Sequence, residues 1–260
     1  MKESIKTGYW AVMAVLLIAG LVFFSPVLVT ILRSFRFGGS FLSLGQYGEL
    51  LITNYTFLRF FWNSAFYALT ITAACIILSF PLGFLFARIS FFGRDTLFFV
   101  YIIAMMLPFQ ATLLPNYIQI RDFALLNTPL ALVLPLAFSP FAVFMFRQFI
   151  KSIPSDILDY ATLDTSSAIM ILWHIVLPQV RTAVIALSVI VFCESWNMVE
   201  PVLIFAAKNP DIHPLSVTMG DLPSDVSFSA ATVYMVPILF LFLLFKKTLS
   251  SAIERFRWGG

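Results

Sequence analysis

The sequence predicts an all-α, polytopic membrane protein, with six transmembrane helices and one polar loop long enough to fold at the membrane surface. Three observations lead there. Of 260 residues, 60% are hydrophobic and only 11% are charged, against about 25% charged in an ordinary soluble domain. The apolar residues fall into six runs, each close to or above the roughly 20 residues that a helix needs to cross a bilayer. One stretch, residues 151–178, is instead polar and helix-forming. The whole chain, 1–260, reads as a single transmembrane domain. Its net charge of +3 is no nucleic-acid footprint, because the basic residues are scattered between apolar runs rather than clustered.

The first span is expected over about 9–32. Lys6 and Arg33 enclose 26 uncharged residues, too long for a signal peptide's apolar region and followed by no small-residue cleavage pattern, so the span is retained. Pro26 is placed to kink it. Residues 34–60 read as a polar, aromatic loop with turn glycines at Gly38, Gly39 and Gly45. Within it, Asn54-Tyr55-Thr56 matches a glycosylation acceptor by spacing alone.

The second span is expected over 61–87. Asn63-Ser64 opens it, and Ala65, Ala68, Ala73 and Ala74 permit close helix contact. The third, over 96–114, contains Pro108, which frees a backbone carbonyl and bends the helix. The fourth, over 129–149, carries Pro135 and Pro140 and ends near Arg147. The fifth is expected over 182–206 and the sixth over 228–245, running into Lys246-Lys247 and a short, amphipathic, basic tail. Cys75 and Cys193 lie inside apolar segments and read as small buried hydrophobes, not as a disulfide or metal site.

With six spans both termini share one side of the membrane. Eleven Lys and Arg fall on that side, among them Arg88, Arg94, Arg147, Lys151 and Arg181. Five fall opposite: Arg33, Arg36, Arg59, Arg121 and Lys208. The excess predicts cytoplasmic termini in the cell membrane and places 151–178 in the cytoplasm.

That segment begins with Pro154-Ser155-Asp156, which suits a helix start, where proline's missing N–H is no loss and an acid meets the positive helix end. A short helix is expected to about Leu163. Asp164-Thr165-Ser166-Ser167 reads as a break and a new N-cap, with a second helix from near Ala168 to Pro178. The spacing Asp159-Tyr160-Ala161, then Asp164-Thr165-Ser166, then Leu177-Pro178 resembles the EAA loop of permease subunits from binding-protein-dependent ABC importers. Three positions depart from it: Asp159 stands for Glu, Tyr160 for Ala, and Thr165 for Gly. A β-branched residue tolerates positive φ poorly, so either the elbow turns differently here or it stores strain. The resemblance implies that these residues form a coupling helix seated in a cleft of an ATPase subunit.

The fifth span holds Glu194, Ser195, Trp196, Asn197 and Glu200 in an apolar setting. A carboxylate there is costly against lipid, so it belongs on a bundle interior or a watery path. On one helix, Glu194, Asn197 and Pro201 would share a face, and Trp196 and Glu200 another. Planar hydrogen-bonding groups beside an aromatic ring suit a polyhydroxylated solute. Such groups can equally do no more than tie the helix to its neighbours. Trp196-Asn197 followed by Pro201 is similar to the same family's Trp-Asn motif, and LPFQATLLPNY, with Gln110 and Asn116, to another landmark.

The resemblance covers nearly the whole chain and is nearest to the second permease subunit of maltose-type carbohydrate importers. It implies alternating access, a second permease subunit, two ABC ATPase subunits that bind ATP and Mg²⁺, and an extracytoplasmic solute-binding protein meeting the outer loop 206–225. The chain itself has no phosphate-binding loop of the G-x-x-x-x-G-K-[ST] type and no hydrolase motif, so it is read as a transporter subunit and not an enzyme. Two other classes compete. An ion-coupled secondary carrier would use Glu194 or Glu200 as a proton site, but it should show inverted repeats and paired broken helices. A non-transporting sensor subunit leaves the polar elbow unexplained.

Overall fold

The computed structural model describes residues 2–36, 38–40, 42–53 and 55–258, with side chains from Trp10 to Ala252 except Ala11. Asn54, the acceptor position of the Asn-Tyr-Thr triplet, lies outside the described residues, as do the side chains of the basic tail. Among the described residues the chain is all-α. Two compact units are present: Met1–Leu58 with Met219–Pro237, and Arg59–Thr218 with Ile238–Gly260.

In the first unit, α1 (Lys2–Ser34) is apolar along its length and carries Pro26. Its side chains from Trp10 to Leu32 are almost all exposed, as befits a helix facing lipid or another subunit. The segment after it is not the open loop expected. A short α2 (Gly45–Gly48) and a wide turn, Glu49–Thr53, precede the next long helix. The buried Gln46 amide donates to the Arg33 carbonyl at 3.1 Å and to that of Arg36, and its Oε1 accepts from the Ser229 N–H at 3.3 Å. The Arg33 carbonyl, in the last turn of α1, thereby accepts from a side chain as well as from the Arg36 N–H at 3.1 Å.

The second unit is built on α3 (Tyr55–Arg88), α4 (Arg94–Met105), α5 (Phe109–Asp122), α6 (Pro129–Leu136), α7 (Pro140–Lys151), α8 (Ser155–Asp164), α9 (Ala168–Ile171), α10 (Leu177–Trp196), α11 (Glu200–Phe205) and α12 (Leu215–Thr218). The last helix, α13 (Ser227–Trp258), enters this unit at Ile238. Among the described residues five stretches are long and apolar enough to cross a membrane: Val12–Ser34, Tyr55–Arg88, Pro129–Lys151, Ala168–Trp196 and Ser227–Ala252; α4 and α5 make a sixth if that bent pair is taken as one span.

The expected third span is not one helix. Its two halves, α4 and α5, meet at 100° across Met106–Pro108. Pro108 adopts ψ 147°; it cannot donate to the preceding turn, and it disfavours helix at Leu107. The result is a sharp break where a kink was expected. The fourth span also breaks, at Ala137–Ser139. Ser139 Oγ accepts from the Ala142 N–H at 3.2 Å, and Pro140 starts α7.

The fifth span differs most. It does not begin at Thr182, and Pro178 does not end the helix before it. From Ala168 the backbone runs continuously to Trp196 through a π-helical turn, Leu172–Val176. A wide turn there accommodates Pro178, whose ring would otherwise press on the carbonyl four residues back. The helix then stops at Trp196 and resumes as α11. Consequently Glu194 and Glu200 do not lie on one helix, and the faces expected from a continuous span do not exist.

Candidate functional site

Two places in the second unit gather the polar residues. The first is the elbow. Helix α8 starts behind Pro154 and ends at Asp164. Leu158 and Ala161, three residues apart, share one side and are buried in a core formed with Phe84, Phe146, Ile150, Ile153 and Leu172. Tyr160 and Leu163 point the other way and are 71% and 82% exposed. Thr165 sits at φ −151°, ψ 139°, an extended conformation that any residue adopts, so the missing glycine costs no strain. Thr165 Oγ1 accepts from the Ser167 N–H at 3.2 Å, and Ser167 Oγ caps α9 by accepting from Met170 N–H at 3.4 Å. The elbow therefore turns through two hydroxyl caps.

Beside it lies a groove of about 540 Å³ lined by Arg88, Asp159, Thr162, Thr165 and Ser166 among others. Of the elbow residues singled out from sequence, Asp159, Thr165 and Ser166 meet here. Ala161 is in the core, Tyr160 and Asp164 face outward, and Pro178 stands apart along the continuous helix. Arg88, the last residue of α3, is the cation of this groove.

The second place is where two helices break together. A cavity of about 320 Å³ is lined by Glu194, Ser195, Asn197, Met198, Glu200 and Phe109, together with Ser139 and apolar neighbours. Gln110, at the start of α5, donates from Nε2 to both Glu200 carboxylate oxygens at 3.1 Å and joins one break to the other. The Met198 carbonyl, freed by the break, accepts from Ser216 Oγ at 2.6 Å, so the break leaves it satisfied. Glu194 and Glu200 are exposed on this chain. Trp196 is turned away: it is 1% exposed, stacks on Phe192 and packs edge-on against Phe61. It supports the break and is not among the residues lining the cavity.

The segment after α11 is pinned to the start of α3. Asn63 Nδ2 donates to the Asp211 and His213 carbonyls at 2.9 and 3.0 Å, the Tyr67 hydroxyl donates to that of Ile212 at 2.9 Å, and Arg59 pairs with Asp211 at 2.8 Å. His213 bonds the Ala206 carbonyl through Nε2. Among the described residues no group of His, Cys, Asp and Glu is arranged to hold a metal.

The family described as "Binding-protein-dependent transport system inner membrane component" matches residues 79–255. The arabinooligosaccharides transport system permease protein AraQ of Halalkalibacterium halodurans is 27% identical over 241 residues, 85% of this chain and 86% of that protein. The lactose transport system permease protein LacG of Rhizobium radiobacter is 32% identical over 69% of this chain and 65% of its own length. The fold is shared with a crystal structure of a bacterial ABC transporter involved in the import of the acidic polysaccharide alginate. That match has a TM-score of 0.81 at 19% identity, over 92% of this chain and 95% of that one. The matched region holds both the elbow and the paired helix breaks and is more than half of the sequence: this multi-pass membrane protein belongs to the family of inner-membrane components of binding-protein-dependent transport systems.

Proposed function

We propose that this chain is one of two permease subunits of an ATP-driven importer for a neutral sugar or related polyhydroxylated solute. Its termini and elbow lie in the cytoplasm, its outer loop meets a solute-binding protein, and two separate ATPase subunits bind ATP and Mg²⁺. Asp159, Tyr160, Ala161, Asp164, Thr165, Ser166 and Pro178 belong to the coupling segment. Glu194, Asn197 and Glu200 contact the solute's path, with Trp196 supporting it from behind.

The observation that carries this is the elbow. Its inner side is locked in the helical core while Tyr160 and Leu163, both largely apolar, stand exposed. An exposed apolar tip on a rigid base suits docking into a partner's cleft. The sugar comes from two sources: the names of the relatives and the lining of the cavity. That lining offers two carboxylates, an amide and two serines, with no cationic side chain. Hydroxyl groups can donate to those carboxylates, whereas an anion would be repelled.

The ion-coupled carrier is another class from the family to which the chain belongs. Helices broken at Met106–Pro108 and after Trp196 are present, but family membership argues against a carrier. The test is uptake of a labelled disaccharide into proteoliposomes holding the assembled complex. Uptake is expected to require ATP and to ignore an uncoupler; uptake without ATP that an uncoupler abolishes would overturn the proposal. In the same assay Glu194→Gln removes a charge without changing shape. It is expected to shift KM or rate about fivefold, the size of one hydrogen bond. Unchanged kinetics would remove Glu194 from the path.

A further inference from the structure

The cytoplasm-side ends of α3 and α7 cap one another. The last carbonyls of any helix lack partners within it, and a cation near them is favoured. Arg147 of α7 donates from Nε to the Phe86 carbonyl at 3.1 Å, in the last turn of α3. Arg88, the final residue of α3, donates from Nη2 to the Ile150 carbonyl of α7 at 2.9 Å and to the carbonyl of Ile153. Arg147 is only 8% exposed, lies 3.7 Å from the centre of the Phe98 ring, and approaches Asp95 at 3.6 Å. The two helices touch closely enough for this only because Gly83 faces Phe146.

Ile153 immediately precedes Pro154, where α8 begins. The short connection from Ser152 to Pro154 would ordinarily be a hinge, since a few loop residues at element ends absorb such motions. Arg88 grips it. Asp159 of α8 lines the same groove as Arg88 and attracts it, and Leu158 packs into the core that holds Phe84, Ile150 and Ile153. We infer that Arg88 is a positioning residue of the coupling machinery. It removes the hinge at 152–154, so that a displacement of the elbow is delivered undiminished to α3 and α7. The inference rests on the proposed docking of an ATPase at the elbow.

The test places spin labels on α3 and α8, at Leu78→Cys and Asp156→Cys, with Cys75 and Cys193 replaced by serine, in the complete complex. Without other changes, the separation is expected to agree within about 1 Å between nucleotide-free and ATP-bound states, below the shifts typical of moving helices. In Arg88→Met the ATP-bound distribution is expected to broaden, and solute moved per ATP hydrolysed to fall about tenfold, the loss of charge-assisted bonds. Arg88→Lys, which keeps a donor, is expected to recover part of the stoichiometry. A separation that changes with nucleotide when Arg88 is intact overturns the inference, as does an unaltered stoichiometry in Arg88→Met. If Arg88→Met does not fold, the label pair with Arg88 in place decides alone. Uptake that is ATP-driven while the pair moves defeats the clamp only; uptake that needs no ATP defeats the docking proposal and the clamp with it.

Discussion

Gly83→Leu is expected to leave little correctly folded protein in the membrane. A Cβ at this position would stand 2.5 Å from Phe146 Cβ, 3.1 Å from the Arg147 nitrogen and 3.2 Å from the Phe146 carbonyl carbon. Two of those three atoms are backbone, so no rotamer change relieves the clash. The helices must separate, and small residues at such crossings are what permit close approach in a bilayer. Separation would also pull Arg147 from the Phe86 carbonyl and Arg88 from those of Ile150 and Ile153. Overpacking alone costs about 3 kcal/mol at the upper end of its usual range, and an arginine left buried without partners adds to it. Melting of the detergent-solubilised protein checks this. A fall of several degrees or a loss of the monodisperse peak is expected, with Gly83→Ala intermediate. A variant that melts with the parent chain would show that the two helices have room to spare.

Leu163→Asp is expected to detach the ATPase while leaving the chain itself as stable as before. Leu163 is 82% exposed, and exposed substitutions usually move stability by no more than about 0.5 kcal/mol. In a cleft the same side chain would be a central apolar anchor. Such anchors are worth about 2 kcal/mol or more, roughly a 30-fold change in affinity. The new carboxylate would lie beside Asp164 and be buried unpaired. Affinity of the purified ATPase for the complex, measured by titration, reads the effect directly. Binding as tight as the parent's would place the contact somewhere other than this tip.

The elbow was legible because polar residues in an apolar chain are rare signals. Pro154-Ser155-Asp156 marked one helix start, and Asp164-Thr165-Ser166-Ser167 marked the break. The spans were legible from hydropathy, but their breaks were not. Pro108 was visible, and a proline within a span reads as a bend until neighbours such as Leu107 abandon the helix as well. The stop at Trp196 also had a sequence signal. Pro201 sits in the first turn of α11, a position that favours helix starts, but in an unbroken apolar run it reads as part of a face. Arg88 and Arg147 were counted as charges that set topology. A count cannot separate a guanidinium in solvent from one capping a buried carbonyl, since the difference lies in residues some 60 positions away. Gly83 carried no local signal at all, because its role depends wholly on Phe146 crossing above it.

Gentle detergent purification of the tagged chain from its own cells, with mass spectrometry of whatever accompanies it, tests the proposed importer assembly most directly. A second permease subunit and an ABC ATPase in twofold excess over this chain are expected, with the ATPase lost from Leu163→Asp. A chain that purifies alone and still moves solute in vesicles without ATP would contradict that assembly.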